Sequence, residues 1–438
     1  MPNTNMTAGI YTLGCKVNQY ESEAIAEALE KEGFTVLDHS AVCDLYVINT
    51  CTVTAESDRK ARQFIRRAIS KNASAFVIVT GCMAQTAASD VATVEGVDAV
   101  IGNTDKLRVA TVARALADDG KKRESAEIFV SDINSAPFEK MNITKFERTR
   151  AYVKIEDGCE SHCTYCIIPS ARGKIRSKAA DDVIREVEIL TAGGCREVVL
   201  TGIETASYGK DLGGVDLASL LCRVDKIDGI GRVRLGSLDP SLIKKDFVER
   251  IASLHSLAPH FHLSLQSGSN AVLASMKRKY NAQMAAKAME LLREYIPNVK
   301  FTTDIIVGFP GETEENFNET VEFVKNANFL TAHIFPYSKR AGTPAATMSG
   351  QISKQEKSRR LHILSEVEAT SRKAMLEREI ENGRICEVLF ESWRDGIATG
   401  HSADFIEVHV CTEKPLNGEL LTVKLCQTDG DICTGELI

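Results

Sequence analysis

The residues with the clearest chemical potential are three cysteines on one short segment, Cys159-Glu-Ser-His-Cys163-Thr-Tyr-Cys166. Three thiolates at this CxxxCxxC spacing can hold three corners of an iron–sulfur cube and leave one iron free to bind a substrate or cofactor. The same thiolates could bind zinc, which usually takes four nitrogen or sulfur ligands in a structural site. His162 could be the fourth ligand, although its position beside Cys163 makes simultaneous ligation awkward. The spacing predicts a metal centre and leaves both metals open.

A second group of cysteines is spread over the N-terminal part of the chain. Cys15, Cys51 and Cys82 end the phrases TLGC, INTC and VTGC, each just past a strand-like segment. These segments alternate with helical patterns, so we expect a parallel sheet. Because ligands gather at the carboxyl ends of parallel strands, the three thiols should meet on one edge of that sheet. The alternative is three buried cysteines in the core of a Rossmann-like domain.

The central region alternates strands and helices in the manner of a barrel. Its strand-like segments are Tyr152–Ile155, Glu197–Leu200, Val233–Leu235, Phe261–Leu265, Lys300–Val307 and Thr331–Phe335. Helical patterns separate them at lengths typical of barrel βα units. Because six such units are too few for a closed eight-stranded barrel, we expect an open, partial (β/α)6 barrel, and the fold class is α/β.

The last part of the chain has the pattern of a small all-β barrel. Short apolar segments from Arg384 onward are joined by Asp395-Gly396, Asn417-Gly418 and Asp429-Gly430, and such pairs are strong hairpin signals. Residues 381–438 contain eleven acidic and four basic side chains, which account for the whole formal net charge of −7. This acidity departs from a simple RNA-binding surface. Phe405, Lys424 and Arg394 could still form a small local patch for RNA.

Length and composition exclude several classes of protein. A chain of 438 residues corresponds to about two to four domains. Its 44% hydrophobic and 26% charged residues argue against disordered and fibrous proteins. No apolar stretch reaches the length of about eighteen residues that a membrane span needs, and the N-terminus lacks the pattern of a secretory signal. We therefore expect a cytoplasmic protein, in which the thirteen cysteines need another role than disulfides.

The CxxxCxxC loop, with Tyr165 before its last cysteine, resembles the signature of the radical S-adenosylmethionine enzymes. Their partial six-unit barrel agrees with the strand pattern above. The resemblance implies that Cys159, Cys163 and Cys166 hold a 4Fe-4S cluster, whose free iron is chelated by the amino and carboxylate groups of S-adenosylmethionine. One electron from the cluster would cleave the sulfonium and make a 5′-deoxyadenosyl radical, while the protein positions and shields the cofactor.

Residues at the ends of the central strands are candidates for binding that cofactor. Gly202 lets the backbone approach a ligand closely because it has no side chain. Glu204 could meet the methionyl ammonium group, and Phe335 could stack on adenine together with Tyr337. The predicted cofactor-binding residues are Tyr165, Thr201, Gly202, Glu204, Ser264, Gln266, Gly308 and Phe335. The alternative for each glycine is that it serves only a turn.

The two cysteine groups together resemble the methylthiotransferases, over essentially the whole chain. The resemblance implies an N-terminal domain over residues 8–123, a connector over 124–148, a radical core over 149–372 and a TRAM-type β-barrel over 375–438. Cys15, Cys51 and Cys82 would hold a second, auxiliary 4Fe-4S cluster. The phrases GCKVNQYES from Gly14 and LTGI from Leu200 are similar to the branch that modifies threonylcarbamoyladenosine in tRNA.

The resemblance implies an enzyme that replaces the hydrogen on adenine C2 of threonylcarbamoyladenosine, beside the tRNA anticodon, with a methylthio group. One S-adenosylmethionine would donate the methyl group and a second would supply the radical. The expected partners are the tRNA anticodon loop, an electron donor such as flavodoxin or ferredoxin, and a sulfur donor, with no membrane. The alternatives are methylthiolation of a ribosomal-protein aspartate and a non-enzymatic, zinc-stabilised RNA-binding protein.

Basic side chains are clustered in spite of the negative net charge. One cluster contains Arg59, Lys60, Arg62, Arg66 and Arg67. The alternative to a binding role for this cluster is an ordinary solvated helix face. A pocket for the threonylcarbamoyl carboxylate should contain cations. The candidates near the open end of the barrel are Arg172, Lys174, Arg176, Lys277 and Arg278. The cysteines outside both triplets are expected to be small core hydrophobes, namely Cys43, Cys195, Cys222, Cys386, Cys411, Cys426 and Cys433.

Overall fold

Six parallel strands form the N-terminal sheet in the computed structural model, which describes residues 6–146 and 148–438. The strands are β1 (Thr7–Thr12), β2 (Thr35–Leu37), β3 (Leu45–Thr50), β4 (Phe76–Gly81), β5 (Ala99–Ile101) and β6 (Glu127–Phe129). The helices are α1 (Lys16–Lys31), α2 (Ala55–Lys71), α3 (Cys82–Thr86), α4 (Ala88–Ala92) and α5 (Arg108–Asp119). The order in the sheet is β2-β1-β3-β4-β5-β6. The parallel sheet predicted from the sequence is thus confirmed.

The predicted strands before the three cysteines correspond to β1, β3 and β4, which are neighbours in the sheet. Every residue of β3 and β4 is buried, so their continuous apolar runs fit the centre of a covered parallel sheet. The short strands β2, β5 and β6 gave no comparable signal. Because Phe129 of β6 pairs with Ile101 of β5, the sheet extends beyond the boundary expected at residue 123, into the segment expected to be a connector.

The central region is an open half-barrel of two parallel three-stranded sheets. Its strands are β7 (Arg150–Lys154), β8 (Glu156–Asp157), β9 (Arg176–Ser177), β10 (Glu197–Thr201), β11 (Arg232–Leu235), β12 (His260–Gln266), β13 (Lys300–Val307) and β14 (Thr331–Pro336). Its helices are α6 (Ile168–Arg172), α7 (Ala180–Ala192), α8 (Leu217–Val224), α9 (Lys245–Ile251), α10 (Asn270–Ser275), α11 (Ala282–Tyr295), α12 (Glu314–Ala327) and α13 (Lys354–Glu381).

The two halves are ordered β11-β10-β7 and β12-β13-β14, with β8 and β9 pairing separately. A backbone bridge between Leu238 and Leu263 joins the two sheets. The strands β7 and β14 form the two outer edges, and no pairing between them occurs in the part of the chain that the structure describes. This is the partial barrel that the six predicted units indicate.

The C-terminal region is a closed barrel of five strands in the order β15-β16-β17-β19-β18. The strands are β15 (Ile385–Arg394), β16 (Ile397–Ser402), β17 (Glu407–Cys411), β18 (Leu420–Thr428) and β19 (Cys433–Leu437). Asp395 and Gly396 both have positive φ and connect β15 to β16, as a tight hairpin turn requires. The predicted all-β barrel is confirmed. Among residues 6–146 and 148–438, none of the helices combines the length and apolar character needed to cross a bilayer.

Phe405 of the C-terminal barrel packs against residues of the central barrel. Its ring stacks on His260 and on His401, with ring centroids 4.6 Å apart in both pairs. The guanidinium carbon of Arg234 lies 4.7 Å from the centroid of the same ring. Because these contacts occupy both faces of the ring, the prediction that Phe405 belongs to an RNA-binding patch is wrong. Lys424 and Arg394 remain exposed.

Glu197 lies buried at the same junction, where it accepts hydrogen bonds from Arg232 and Arg234 and forms an ion pair with Arg150. Its distances are 2.9 Å to Arg234 Nε, 3.0 Å to Arg232 Nη1 and 3.3 Å to Arg150 Nε. Burial opposes ionisation of Glu197, but Arg234 and Arg150 outweigh it and lower the pKa to about 2. Because the folded-state pKa lies below the unfolded value, the carboxylate stabilises the fold above about pH 4.5 and loses this contribution as the pH falls toward 2.

We expect Glu197→Gln to lower the free energy of unfolding by about 3–5 kcal/mol at pH 7, because the buried Arg232 and Arg234 lose their counter-ion and Arg150 keeps only Glu391. The difference from wild type should shrink as the pH falls from about 4.5 toward 2. Urea unfolding at several pH values measures this, with the exposed Glu315→Gln as the matched control. Equal stability of wild type and Glu197→Gln at pH 7 would contradict the role given to this carboxylate.

Candidate active site

A cavity of about 390 Å³ opens at the carboxyl ends of the central strands. Cys159, Cys163 and Cys166 line it together, as their predicted role in one metal centre requires. The lining also includes Asp239 from the loop after β11, Asp304 of β13 and Phe335 of β14. Val53 and Thr54 of the N-terminal region complete the lining. The cavity is therefore shared between the central barrel and the sheet that carries the second cysteine triplet.

Close backbone contacts hold the CxxxCxxC loop in place. Gly158 has a φ of +97°, and a Cβ there would lie 2.0 Å from the carbonyl oxygen of Lys174. The Cys159 amide donates to the Gly173 carbonyl at 3.0 Å, and the Thr164 amide donates to the Met276 carbonyl at 3.1 Å. The loop is thus fixed at both ends, which orients its thiols toward the cavity.

Two thiols of this loop, those of Cys159 and Cys166, are poor thiolates by themselves. Burial raises the pKa of Cys159 to about 12, with a further contribution from Glu204, and burial raises the pKa of Cys166 to about 11. Arg278 Nη1 donates to Cys163 Sγ at 3.2 Å, which places a cation beside that sulfur. Deprotonation of the buried thiols at neutral pH therefore requires a bound metal cation, whose binding releases the protons.

The donor set fits an iron–sulfur cluster better than a single zinc ion. Thiolates around one zinc lie within about 2.3 Å of it and so converge closely on one another. The cavity lining holds three cysteine thiols, one fewer than the four ligands of a structural zinc site. His162, the candidate fourth zinc ligand, is not among the described residues that line the cavity. Three cysteines spread around a cavity suit the corners of a cube.

Five of the eight residues predicted to bind S-adenosylmethionine line the cavity. They are Tyr165, Glu204, Ser264, Gln266 and Phe335. Glu204 Oε2 accepts from Ser161 Oγ at 2.8 Å and from Cys159 Sγ at 3.1 Å, so its carboxylate lies beside the first cysteine. Phe335 is half-exposed, which leaves a ring face available for stacking. The contacts of these residues with the cofactor stay predictions.

Thr201, Gly202 and Gly308 do not line the cavity in the described part of the chain. A Cβ at Gly202 would lie 2.6 Å from Glu156 Oε2, and a Cβ at Gly308 would lie 2.3 Å from Lys357 Cγ. Close packing therefore accounts for both glycines. The Thr201 carbonyl accepts from the Ile155 amide at 2.8 Å, and its side chain is buried. These residues support the wall of the cavity from behind.

The second cysteine triplet collects at one edge of the N-terminal sheet. Cys15 precedes α1, Cys51 follows β3 directly, and Cys82 begins α3 directly after β4. A Cβ at Gly14, whose φ is +101°, would lie 2.9 Å from Cys51 Sγ. Burial raises the pKa of Cys51 to about 11, and the neighbouring Cys82 raises it further. The three cysteines thus follow neighbouring strands at one edge of the sheet, and their convergence on one cluster stays a prediction.

A buried polar network surrounds this triplet and was missed in the sequence. Arg172 donates to Asn18 Oδ1 and to both Glu21 oxygens, although 151 residues separate Arg172 from Glu21. Lys106 and Lys154 also pair with Glu21. Asn18 and Glu21 lie on α1, which begins right after Cys15, whereas Arg172 follows Cys166 on α6. The network therefore ties the two cysteine loops together, and no local pattern in the sequence could have revealed it.

The cations predicted to hold a substrate carboxylate need correction. Arg172 and Arg176 are buried, and both pair with Asp157, so they are not available to a ligand. Arg278 lines the cavity, but it donates to Asp239 at 3.0 Å and to the Ser264 carbonyl at 2.9 Å. Lys174 and Lys277 are exposed outside the described lining of the cavity.

The cysteines outside both triplets divide into two groups. Cys43, Cys195, Cys386 and Cys433 are buried, as predicted for small core hydrophobes. Cys222 and Cys426 are only partly buried. Cys411 is exposed at the end of β17, so the prediction for this residue is wrong. Its exposure makes Cys411 a useful control position for cysteine substitutions.

Two family models match the chain. The model of the radical SAM superfamily matches residues 153–324, and the model described as uncharacterized protein family UPF0004 matches residues 7–102. These ranges contain one cysteine triplet each. Among solved structures, the radical S-adenosylmethionine methyltransferase TsrM from Kitasatospora setae has a TM-score of 0.57 at 17% identity, over 78% of this chain and 77% of that one. This likeness shows the fold.

Curated relatives cover almost the whole chain. The threonylcarbamoyladenosine tRNA methylthiotransferase MtaB of Bacillus subtilis is 37% identical over 99% of this chain and 96% of its own length. The enzyme of that name from Thermotoga maritima is 40% identical over 82% and 81%. A tRNA-2-methylthio-N(6)-dimethylallyladenosine synthase of Carboxydothermus hydrogenoformans is 36% identical over 87% of both chains.

The matched families agree with the site, because each matched range contains one of the two cysteine triplets. The cofactors are S-adenosylmethionine and 4Fe-4S clusters, for which the barrel cysteines supply a fitting donor set. The protein is therefore an enzyme and not a zinc-stabilised binding module. On relatives at 36–40% identity over most of its length, the chain belongs to the radical S-adenosylmethionine family of tRNA methylthiotransferases.

Proposed function

We propose that this enzyme attaches a methylthio group to adenine C2 of threonylcarbamoyladenosine beside the tRNA anticodon. The observation that carries the proposal is the shared cavity: the barrel triplet lines it, and so do Val53 and Thr54, which follow Cys51 of the second triplet almost directly. The cavity therefore borders the barrel triplet directly and the segment that follows Cys51. Such an arrangement suits a reaction that needs one centre to activate a C–H bond and another to deliver sulfur.

We assign the two triplets to two 4Fe-4S clusters. When bound, the barrel cluster with S-adenosylmethionine supplies the one-electron chemistry at adenine C2, and the auxiliary cluster carries the sulfur that receives a methyl group from a second S-adenosylmethionine. Cys159, Cys163 and Cys166 hold the first in this proposal, and Cys15, Cys51 and Cys82 hold the second. The reaction also needs an electron donor such as flavodoxin or ferredoxin, and a sulfur donor.

The residues of the cavity bind and orient in this proposal. Glu204 offers a carboxylate beside Cys159 for the ammonium group of S-adenosylmethionine, and Ser264 and Gln266 offer hydrogen bonds to its ribose or carboxylate. The half-exposed ring of Phe335 offers a stacking surface at the cavity wall. Tyr165, within the cysteine loop, lines the cavity and limits the access of water to the neighbouring thiols.

The substrate enters as a single nucleotide. A cavity of about 390 Å³ has room for a base and part of a cofactor but not for a duplex. A nucleotide of the anticodon loop can be splayed out of its stack at small cost because it is already unpaired. The proposed substrate, tRNA, places the reaction in the cytoplasm. No contact in the described residues favours a protein aspartate as the acceptor.

Substrate choice provides the decisive test. We expect tRNA bearing threonylcarbamoyladenosine to be methylthiolated at least about a hundredfold faster than tRNA bearing isopentenyladenosine, because an apolar group would leave the polar cavity residues unpaired. The reconstituted enzyme is incubated with each tRNA, with unmodified tRNA as control, and nucleosides are analysed by mass spectrometry. Equal turnover of the isopentenyl substrate would refute the branch and leave the methylthiotransferase chemistry standing.

A further inference from the structure

The helix α2 carries an exposed row of cations that the site described above does not use. Lys60, Arg62 and Arg66 are exposed, and no hydrogen bond or ion pair of theirs occurs among the described residues. Arg67 is exposed and lies over the ring of Phe64 at 5.6 Å, again without a carboxylate partner. We call these four residues the basic face of α2. Like charges so close together weaken a helix slightly, so they need an anionic partner to be favourable.

The start of this helix lies at the catalytic cavity. Thr54, which lines the cavity, is the residue that caps α2, and its Oγ1 accepts from the Ser57 amide at 3.1 Å. The Ala55 amide donates to Ser338 Oγ at 3.2 Å, and Ser338 also lines the cavity. With 17 residues, α2 is about 25 Å long. It therefore leads from the cavity outward over the protein surface.

The acidic residues near the cavity do not cancel this charge. Glu56 Oε1 pairs with Arg59 at 2.6 Å, and Asp58 Oδ2 pairs with Arg340 at 2.7 Å. Glu56 is thus paired mainly with Arg59, although Lys60 also attracts it, and Asp58 is paired with Arg340, outside the basic face. The face keeps a local excess of four positive charges in a protein whose formal net charge is −7.

We propose that the basic face of α2 binds backbone phosphates of the tRNA strand that delivers the target adenosine to the cavity. This inference rests on the proposed function. RNA fits because its phosphates repeat every few ångströms along a strand, so one strand leaving the cavity can meet several cations of a 25 Å helix. Residues 381–438 carry a net charge of −7, equal to that of the whole chain, whereas the basic face of α2 offers four cations beside the cavity.

The test compares two charge-reversal variants of the complete, reconstituted enzyme. Arg62→Glu/Arg66→Glu changes neighbouring positions on one side of α2, whereas Lys226→Glu/Lys287→Glu makes the same change in net charge at exposed positions after α8 and on α11. Binding of full-length, fluorescently labelled tRNA is measured by anisotropy at several salt concentrations. We expect the α2 variant to raise Kd about tenfold or more and to lower the slope of log Kd against log salt by about two.

Further readouts separate this surface from the catalytic machinery. Because the basic face does not line the cavity, the α2 variant should cleave S-adenosylmethionine at the wild-type rate and should show a higher KM for tRNA with an unchanged kcat. A second variant, Arg62→Gln/Arg66→Gln, introduces no carboxylates and serves if charge reversal perturbs the helix. It should lower the salt slope by the same amount. Circular dichroism checks that α2 remains folded in both variants.

The outcomes distinguish this inference from the proposed function. If wild type binds tRNA and the α2 variant binds it equally well, the inference is overturned and the proposed function stands. If wild type binds no tRNA, both are overturned. If the isopentenyl substrate is preferred but the α2 variant still binds tRNA weakly, the substrate branch is wrong and the phosphate-binding role of α2 holds.

Discussion

Substitution of Cys159 by alanine is expected to abolish cleavage of S-adenosylmethionine. The variant should bind about four irons per chain after anaerobic reconstitution, against about eight for wild type, because one of two four-iron clusters is lost. The physical reason is local: the thiol lines the cavity beside Glu204, and two remaining cysteines cannot hold three corners of a cube. Iron analysis, visible absorption and quantification of 5′-deoxyadenosine measure the result.

Cys411→Ala is the matched control for this experiment, because Cys411 is an exposed thiol at the end of β17. It should keep the full iron content and wild-type cleavage. Persistent cleavage of S-adenosylmethionine in Cys159→Ala would exclude the assignment of the CxxxCxxC loop to the radical cluster. Loss of iron in both variants would point to a general effect of cysteine removal on reconstitution.

The second large effect is expected for Cys82→Ala. This variant should also lose about half of the iron, yet it should still cleave S-adenosylmethionine because the barrel triplet is intact. Methylthiolation of tRNA should fall below detection, since Cys82 belongs to the triplet that we assign to the sulfur-bearing cluster. The comparison of 5′-deoxyadenosine formation with methylthionucleoside formation in the same reaction gives the result.

Cys43→Ala controls for this second experiment. Cys43 is a buried thiol of the same N-terminal region, but it packs against Tyr46 and Gly9 at the other end of the sheet from the triplet. Its loss should leave both activities near wild type. Wild-type methylthiolation by Cys82→Ala would show that the N-terminal triplet does not hold the auxiliary cluster. Loss of both activities would show that the two sites fail together.

Contacts between the two cysteine loops could cause loss of both activities in Cys82→Ala, and the experiments can detect this. Arg172 follows the barrel cysteines and bonds to Asn18 and Glu21, which follow Cys15. Asn103 Nδ2 lies 3.8 Å from Cys82 Sγ and donates to the Ala171 carbonyl at 2.8 Å. A disturbance at Cys82 can therefore reach α6 through the side chain of Asn103. The iron content of the barrel triplet in Cys82→Ala measures whether it does.

Several features of the fold depend on short-range patterns and could be predicted from the sequence alone. The CxxxCxxC spacing confines three thiols to one loop, and all three line one cavity. The apolar runs of β3 and β4, each followed at once by cysteine, required a parallel sheet with its thiols at one edge. Asp395-Gly396 required a hairpin because both residues must adopt positive φ. Each signal lies within a few residues of the structure that it specifies.

The tertiary structure decided which side chains are available to ligands. Arg172 and Arg66 are alike in the sequence, each within a cluster of basic residues. The folded chain buries Arg172 against a glutamate 151 residues away and leaves Arg66 in solvent. Phe405 was likewise a candidate for stacking on RNA until His260 and His401 covered it.

The physical reason is that burial, and not residue type, fixes the role of a charged or aromatic side chain. A buried cation must find counter-charges, because desolvation without them costs several kcal/mol, roughly the margin by which a domain is stable. Those partners come from whichever segments pack nearby. For the same reason the sequence alone specified the six cysteines and the three regions of this enzyme, while only the packing of those regions brought Val53 and Thr54 into the cavity and left the basic face of α2 free.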